Sequence, residues 1–146
     1  MPGLDTAREI LSRYNQAILD KNAEALASVY AEDAVHELPF MHDAPPLRGR
    51  RELVERYTAG WGATTAKVDA IKNIVLHEVV GGTVFVVEED IDITNMKDGS
   101  KFTASTVLVM TLAGGQIVRM RDYTDNLTIA IGLGRMPSLA GQPTGR

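Results

Sequence analysis

The residues with the most chemical potential are acids placed where acids are uncommon. Glu88-Glu89-Asp90-Ile91-Asp92 interrupts a stretch otherwise rich in Val, Ile and Thr, although Asp and Glu are poor strand formers. Strand alternation puts Val86, Glu88, Asp90 and Asp92 on one face and Phe85, Val87, Glu89, Ile91 and Ile93 on the other. Carboxylates two residues apart on a strand are roughly 6–7 Å from one another. Lining a pocket, Asp90 and Asp92 would repel each other and lose water, raising at least one pKa. A general acid near neutral pH needs that shift. Facing water, they would be no more than the solvated side of a half-buried strand.

A second acid lies in Arg121-Asp122-Tyr123-Thr124-Asp125-Asn126. Val118, Met120 and Asp122 share a face by alternation, so Asp122 prolongs an apolar stripe. Such an acid is costly unless it is paired or functional. It is either a catalytic group or a tether for the segment that follows, by capping or by pairing with an arginine. His36, in the stretch His36 to Met41, is either a structural hydrogen-bonding residue or a proton carrier beside the pocket. A metal would need His36, Asp90, Asp92 and Asp122 to converge, and no short-range ligand motif supports that. Neither a metal nor a cofactor is expected, because phosphate-loop glycines and nucleophile-elbow serines are also missing. Tyr14, Tyr30, Tyr57 and Trp61 are core aromatics whose polar tips would need partners, or would donate into a pocket.

Three helices and four strands must position these groups. Ile10, Leu11, Tyr14, Ala17 and Ile18 recur at helical spacing from Ala7, with Thr6 and Glu9 fitting a capping box. Asn22 caps a short second helix that buries Leu26, Val29 and Tyr30. A third runs from about residue 50 to 61 with Leu53, Val54, Tyr57 and Trp61 on one side, and the chain between is irregular. Residues 66–80, 83–95, 101–113 and 116–124 read as strands separated by Gly81-Gly82, Lys97-Asp98-Gly99 and Gly114-Gly115. Turns this short permit only an antiparallel meander. The fold class is therefore α+β: three N-terminal helices on a curved four-stranded sheet, a cone with an open mouth. Residues 1–135 form one domain, and 136–146 are a loosely ordered tail.

The chain has 146 residues, 15 basic and 19 acidic, with 45% hydrophobic and no cysteine. Disulfides, zinc–thiolate sites, iron–sulfur clusters and cysteine nucleophiles are excluded. The acidic balance without a basic block argues against nucleic acid and anionic membranes. MPGLDTAREI lacks a signal-peptide core, so a cytoplasmic location is expected.

Arg13-Tyr14, Ala31-Glu32-Asp33-Ala34-Val35 and Leu47-Arg48-Gly49-Arg50 occur in an order that resembles the SnoaL-like branch of the nuclear-transport-factor-2-like superfamily. The resemblance covers roughly residues 6–130 and extends to ketosteroid isomerases, limonene-epoxide hydrolases and polyketide cyclases. It implies the cone-shaped α+β barrel and a homodimer formed through the outer sheet face, where Leu108, Met110 and Leu112 are expected. Tyr14 matches the isomerase tyrosine of the oxyanion hole, whereas the two isomerase aspartates fall at Leu38 and near Val107. Arg121-Asp122-Tyr123-Thr124-Asp125 matches the epoxide-hydrolase run, and Asp92 matches that family's middle-strand aspartate. The arginine between those acids is replaced by Asp90, and the water-holding residues fall at His36 and Leu38. The cyclases need chiefly one aspartate, at a position resembling Asp122.

Together these readings imply a cofactor-free acid/base enzyme acting on a small apolar metabolite. Asp122 is the base, Asp92 a partner acid, His36 or Asp90 a proton relay, and Tyr14 a hydrogen-bond donor. Tyr30, Leu38, Phe40 and Tyr57 are expected to bind substrate, together with Trp61, Val107 and Met120. A non-catalytic small-molecule binder and a dimeric scaffold with a vestigial pocket are the alternatives.

Overall fold

A computed structural model describes residues 3–136. In chain order the elements are α1 (Leu4–Asp20), α2 (Ala23–Ser28), β1 (Tyr30–Glu37), β2 (Leu47–Arg48), α3 (Gly49–Ala63), β3 (Ala66–Glu78), β4 (Val84–Asn95), β5 (Lys101–Ala113), β6 (Gln116–Asp122) and α4 (Asn126–Gly132). The α+β class and the β3–β6 meander agree with the sequence reading. The expected loose tail lies outside the described residues beyond Met136.

The sheet has six strands rather than four, in the order β2-β1-β6-β5-β4-β3, and it is curved but not closed. β1 runs parallel to β6, with His36 opposite Met120 and Glu37 opposite Arg121. The stretch ending at Glu37 was expected to be helix and then irregular chain. It is instead a strand whose Ala34 and His36 are buried two residues apart. Tyr30 therefore opens β1 and does not end α2. The period was hidden because β1 has a register shift between Tyr30 and Val35 that breaks the alternation.

The helices begin where local chemistry allows. The expected Thr6–Glu9 capping box does not form: α1 starts at Leu4 with Gly3 as an N-cap that offers no side chain. Leu4 packs on the core, and that apolar contact extends the helix past Thr6. Asn22 does cap α2, its side-chain oxygen accepting from the Ala25 amide at 3.0 Å. Gly49 opens α3 at φ +84°, where a Cβ would also meet the Glu32 carbonyl at 3.1 Å, so glycine is the fitting residue. Gly114 and Gly115 both have positive φ and join β5 to β6 in a tight turn.

The inner sheet face and the helices enclose one core that includes Leu11, Tyr14, Leu26, Leu53, Phe85, Met110 and Ile117. Leu108, Met110 and Leu112 belong to it, each no more than 2% exposed, which corrects their assignment to the outer face. They face inward because β5 is buried at Ala104, Thr106, Leu108, Met110 and Leu112, every second residue. Similarly, a register shift between Thr111 and Leu112 opposite β6 brings Ile117, rather than Val118, into line with Met120 and Asp122. Among the described residues no helix is long and apolar enough to cross a membrane.

Candidate functional site

The inner face of the sheet carries two acids, and they come from different strands. Glu89 on β4 is opposite Thr106 on β5, and Leu108 on β5 is opposite Asp122 on β6. Glu89 and Asp122 are thus separated by two strand spacings, on the order of 10 Å at the backbone. They share a cavity of about 240 Å³. Tyr14, Asn15 and Ile18 close it from α1, Tyr57 and Trp61 from α3, and Leu38 and Met41 from the chain after β1. The cavity opens on a vestibule of about 770 Å³ that shares Leu38, Met41, Tyr57, Trp61 and Asn126 with it.

Asp122 divides its two oxygens between structure and cavity. Oδ1 accepts from the Thr124 amide at 3.0 Å, from Thr124 Oγ1 at 2.5 Å and, at 3.4 Å, from Thr106 Oγ1. That local turn leads into α4, whose N-cap is Asp125. Oδ2 lies 3.9 Å from His36 Nε2 and makes no other polar contact among the described residues. The tether and the free carboxylate oxygen are therefore both present in one side chain. Among the described residues no arginine pairs with it.

Glu89 is 4% exposed. Asn15 Nδ2 donates to its Oε1 at 2.5 Å. Burial pushes its pKa above the ordinary glutamate range, the Asn15 hydrogen bond opposes this, and the charge of Asp122 adds to the rise. With Oε1 held by Asn15, Oε2 is the oxygen left to carry a proton. Asn15 Oδ1 is buried without a partner.

His36 sits behind the cavity wall, 1% exposed. Its Nδ1 is hydrogen-bonded to the Tyr30 hydroxyl at 2.7 Å and its Nε2 to the Tyr57 hydroxyl at 3.2 Å. Burial lowers its pKa, against the raising influence of Asp122 and Glu37, so the imidazole is neutral. Burial likewise holds the Tyr14 and Tyr57 hydroxyls protonated, as donors at the cavity wall.

The remaining expected site residues divide sharply. Tyr14, Leu38, Tyr57, Trp61 and Asp122 line the cavity together. Tyr30 and Met120 are buried in the core, where Tyr30 buttresses His36. Asp90 and Asp92 are on the outer sheet face, which corrects their placement in the pocket. Asp90 accepts from Asn73 at 2.7 Å and Ser105 at 2.8 Å, and Asp92 pairs with Lys72 at 2.9 Å and accepts from Thr103 at 2.7 Å. These partners lower both pKa values, the reverse of the expected rise. Val107 shares that outer face, next to Glu88. Phe40 is 65% exposed and packs edge-on against Tyr123. Among the described residues no cluster of three His, Cys, Asp or Glu side chains could hold a metal ion.

Glu89, Asn15 and Thr106 were not singled out from the sequence. The signal was present: Glu89 interrupts Phe85, Val87, Ile91 and Ile93 on the apolar side of β4, and Asn15 adjoins Tyr14 on the buried stripe of α1.

The sequence pattern of the SnoaL-like domain family matches residues 11–120. No curated protein matches the chain. A proposed isomerase from Bacillus subtilis superposes with a TM-score of 0.83 at 20% identity, over 93% of this chain and 98% of that one. A proposed polyketide cyclase from Xanthomonas campestris gives 0.72 at 16% identity, over 88% and 97%. An epoxide hydrolase from M. tuberculosis, of the limonene-epoxide-hydrolase-like type, gives 0.65 at 17%, over 90% and 91%. At these identities the likeness is one of fold.

Proposed function

The chain belongs to the SnoaL-like domain family, and from that premise we propose that it is a cofactor-free acid/base enzyme acting on a small, mostly apolar metabolite. The observation that carries this reading is the presence of Asp122 and Glu89 in one largely apolar cavity. Asp122 Oδ2 is the base and takes a proton from a C–H group or from water. Burial favours the protonated form of Glu89, which gives its proton from Oε2 to the oxygen that develops negative charge. Tyr14 donates a further hydrogen bond to that oxygen. His36 stays neutral and positions the Tyr57 hydroxyl.

This division supports hydrolysis, cyclisation or isomerisation, each of which moves one proton on and one proton off. A positioned acid or base contributes typically about 10²–10⁴-fold. The neighbours described as a cyclase, an epoxide hydrolase and an isomerase support the class without choosing within it. Turnover of small epoxides and activated ketones, compared in wild type and Asp122→Asn, tests the reading. Loss of turnover in the variant is expected. Binding of such compounds without turnover in the wild type would favour a non-catalytic carrier.

We also propose that the protein pairs through its outer sheet face. There Val75 and Val107 are exposed beside half-buried Val84, Val86 and Val109. Sedimentation giving a monomer at micromolar concentration would remove that part.

A further inference from the structure

The vestibule in front of the cavity has a charge opposite to that of the protein. The chain carries 19 acidic and 15 basic residues, yet among the described residues the vestibule is lined by Arg56, Lys97, Arg135 and His42 and by no carboxylate. His42 is paired with Asp43 at 3.2 Å. Arg56, Lys97 and Arg135 enter no ion pair among the described residues. Arg56, an exposed side chain, donates to Met41 Sδ at 3.0 Å, and Met41 lines both vestibule and cavity. Asp98, next to Lys97 in sequence, turns its carboxylate to Ser100.

These three cations come from α3, the β4–β5 turn and the chain just after α4, so three separate segments bring like charge to one opening. Like charges brought together repel, and an anion among them relieves that repulsion. Behind them the wall becomes apolar and aromatic at Tyr57 and Trp61 and then acidic at Asp122 and Glu89. Resting on the reading of the inner cavity as the substrate chamber, the geometry points to a substrate with an anionic head and an apolar body. The head stays in the vestibule on Arg56, Lys97 and Arg135, because Asp122 repels it from the chamber. The apolar body enters past Trp61. Substrate therefore binds in one orientation, with the reacting end inward.

Trp61 is the single tryptophan of the chain and lines both spaces, so binding is readable from its fluorescence and by calorimetry. The probes are 4-cyclohexylbutanoate, its primary amide, its phosphate analogue 4-cyclohexylbutyl phosphate and the corresponding amine, none of which absorbs with tryptophan. The acid is expected to bind about tenfold more tightly than the amide, with a gap that shrinks at high salt. The amine should bind most weakly. In Arg56→Gln/Lys97→Gln the acid-to-amide ratio should fall toward one, and Lys97→Gln alone, in an exposed turn, should lower it part of the way. A phosphate tighter than the carboxylate supports the anionic head and identifies its type. An amide equal to or tighter than the acid overturns the inference and leaves the chamber reading standing, as does a ratio that survives the double substitution. Failure of every probe to bind overturns the chamber reading and this inference with it.

Discussion

β4 places three carboxylates within four residues and treats its two faces in opposite ways. Glu89, facing inward, is buried against Asn15 and the apolar chamber, and its pKa is raised. Asp90 and Asp92, facing outward, have hydroxyl, amide and ammonium partners, and their pKa values are lowered. The residue type is nearly constant across the strand while the chemistry reverses. Desolvation decides one face and hydrogen bonding the other. What the contrast teaches is that an acidic run on a strand is informative only residue by residue, once the pleat is assigned.

The largest expected effect sets the inner face against everything else. Asp122→Asn keeps the Oδ1 contacts of the turn at Thr124 but removes the charge of Oδ2, so turnover should fall about 10²-fold or more while the melting temperature changes little. A destabilised variant with full turnover would make Asp122 a tether only. Glu89→Gln should also lower the rate, at the low end of the roughly 10²–10⁴-fold of a positioned acid, because Gln still donates a hydrogen bond but cannot transfer a proton. Its stability signature is the sharper readout. A raised folded pKa means that Glu89 contributes stability below its unfolded pKa near 4.5 and loses it as pH rises through the folded value. The melting temperature of Glu89→Gln relative to wild type should therefore rise as pH increases above 4.5. A difference independent of pH would show that Glu89 is not desolvated, and the contrast between the faces would fail.

Much of this was legible in the sequence, and what was missed has identifiable causes. The meander was readable because β3 to β6 are long and joined by glycine turns such as Gly114-Gly115. β1 was not, because its register shift breaks the alternation, and its partner β6 is distant in sequence. α4 has only seven residues and no buried one, which leaves no periodic stripe to detect. Glu89 between Val87 and Ile91 is an acid on an apolar face just as Asp122 is. The strand face with three acids, Glu88, Asp90 and Asp92, points instead to Asp90 and Asp92, one residue off the pleat that faces the chamber, and a one-residue slip reverses every side chain on a strand.

His36 offers an intermediate test behind the inner face. Its folded pKa is lowered, so the neutral imidazole contributes stability above its unfolded pKa near 6.5, and that contribution is lost as pH falls through the folded value. Wild type should weaken below about pH 6.5, and His36→Gln should flatten that part of the profile. Tyr57→Phe removes the hydroxyl on Nε2 without a charge, so it should alter turnover while leaving the acid limb of the stability profile in place. An identical loss in both variants would make the Tyr30–His36–Tyr57 set purely structural.

The smallest effect belongs to the outer face, and its sign completes the comparison. Asp92 has a lowered folded pKa, first through its contact with Lys72 and then through Thr103. A lowered carboxylate pKa contributes stability above the unfolded pKa near 3.8, and that contribution is lost as pH falls through the folded value. Asp92→Asn should therefore be slightly less stable than wild type at pH 7 and equal to it at strongly acidic pH, which is the opposite slope to Glu89→Gln. The pair is solvent-exposed, so the difference should be small and should shrink with added salt. Turnover should be unchanged, because the backbone of β4 separates Asp92 from the chamber. If Asp92→Asn instead lowered turnover as Glu89→Gln does, the outer acids would be acting on the chamber through the strand, and a polar network spanning β4 would replace the division of its two faces. Parallel pH titrations of the two variants in one buffer series, read beside their turnover, would show which of these holds, because the division of the faces requires opposite slopes together with a loss of turnover in Glu89→Gln alone.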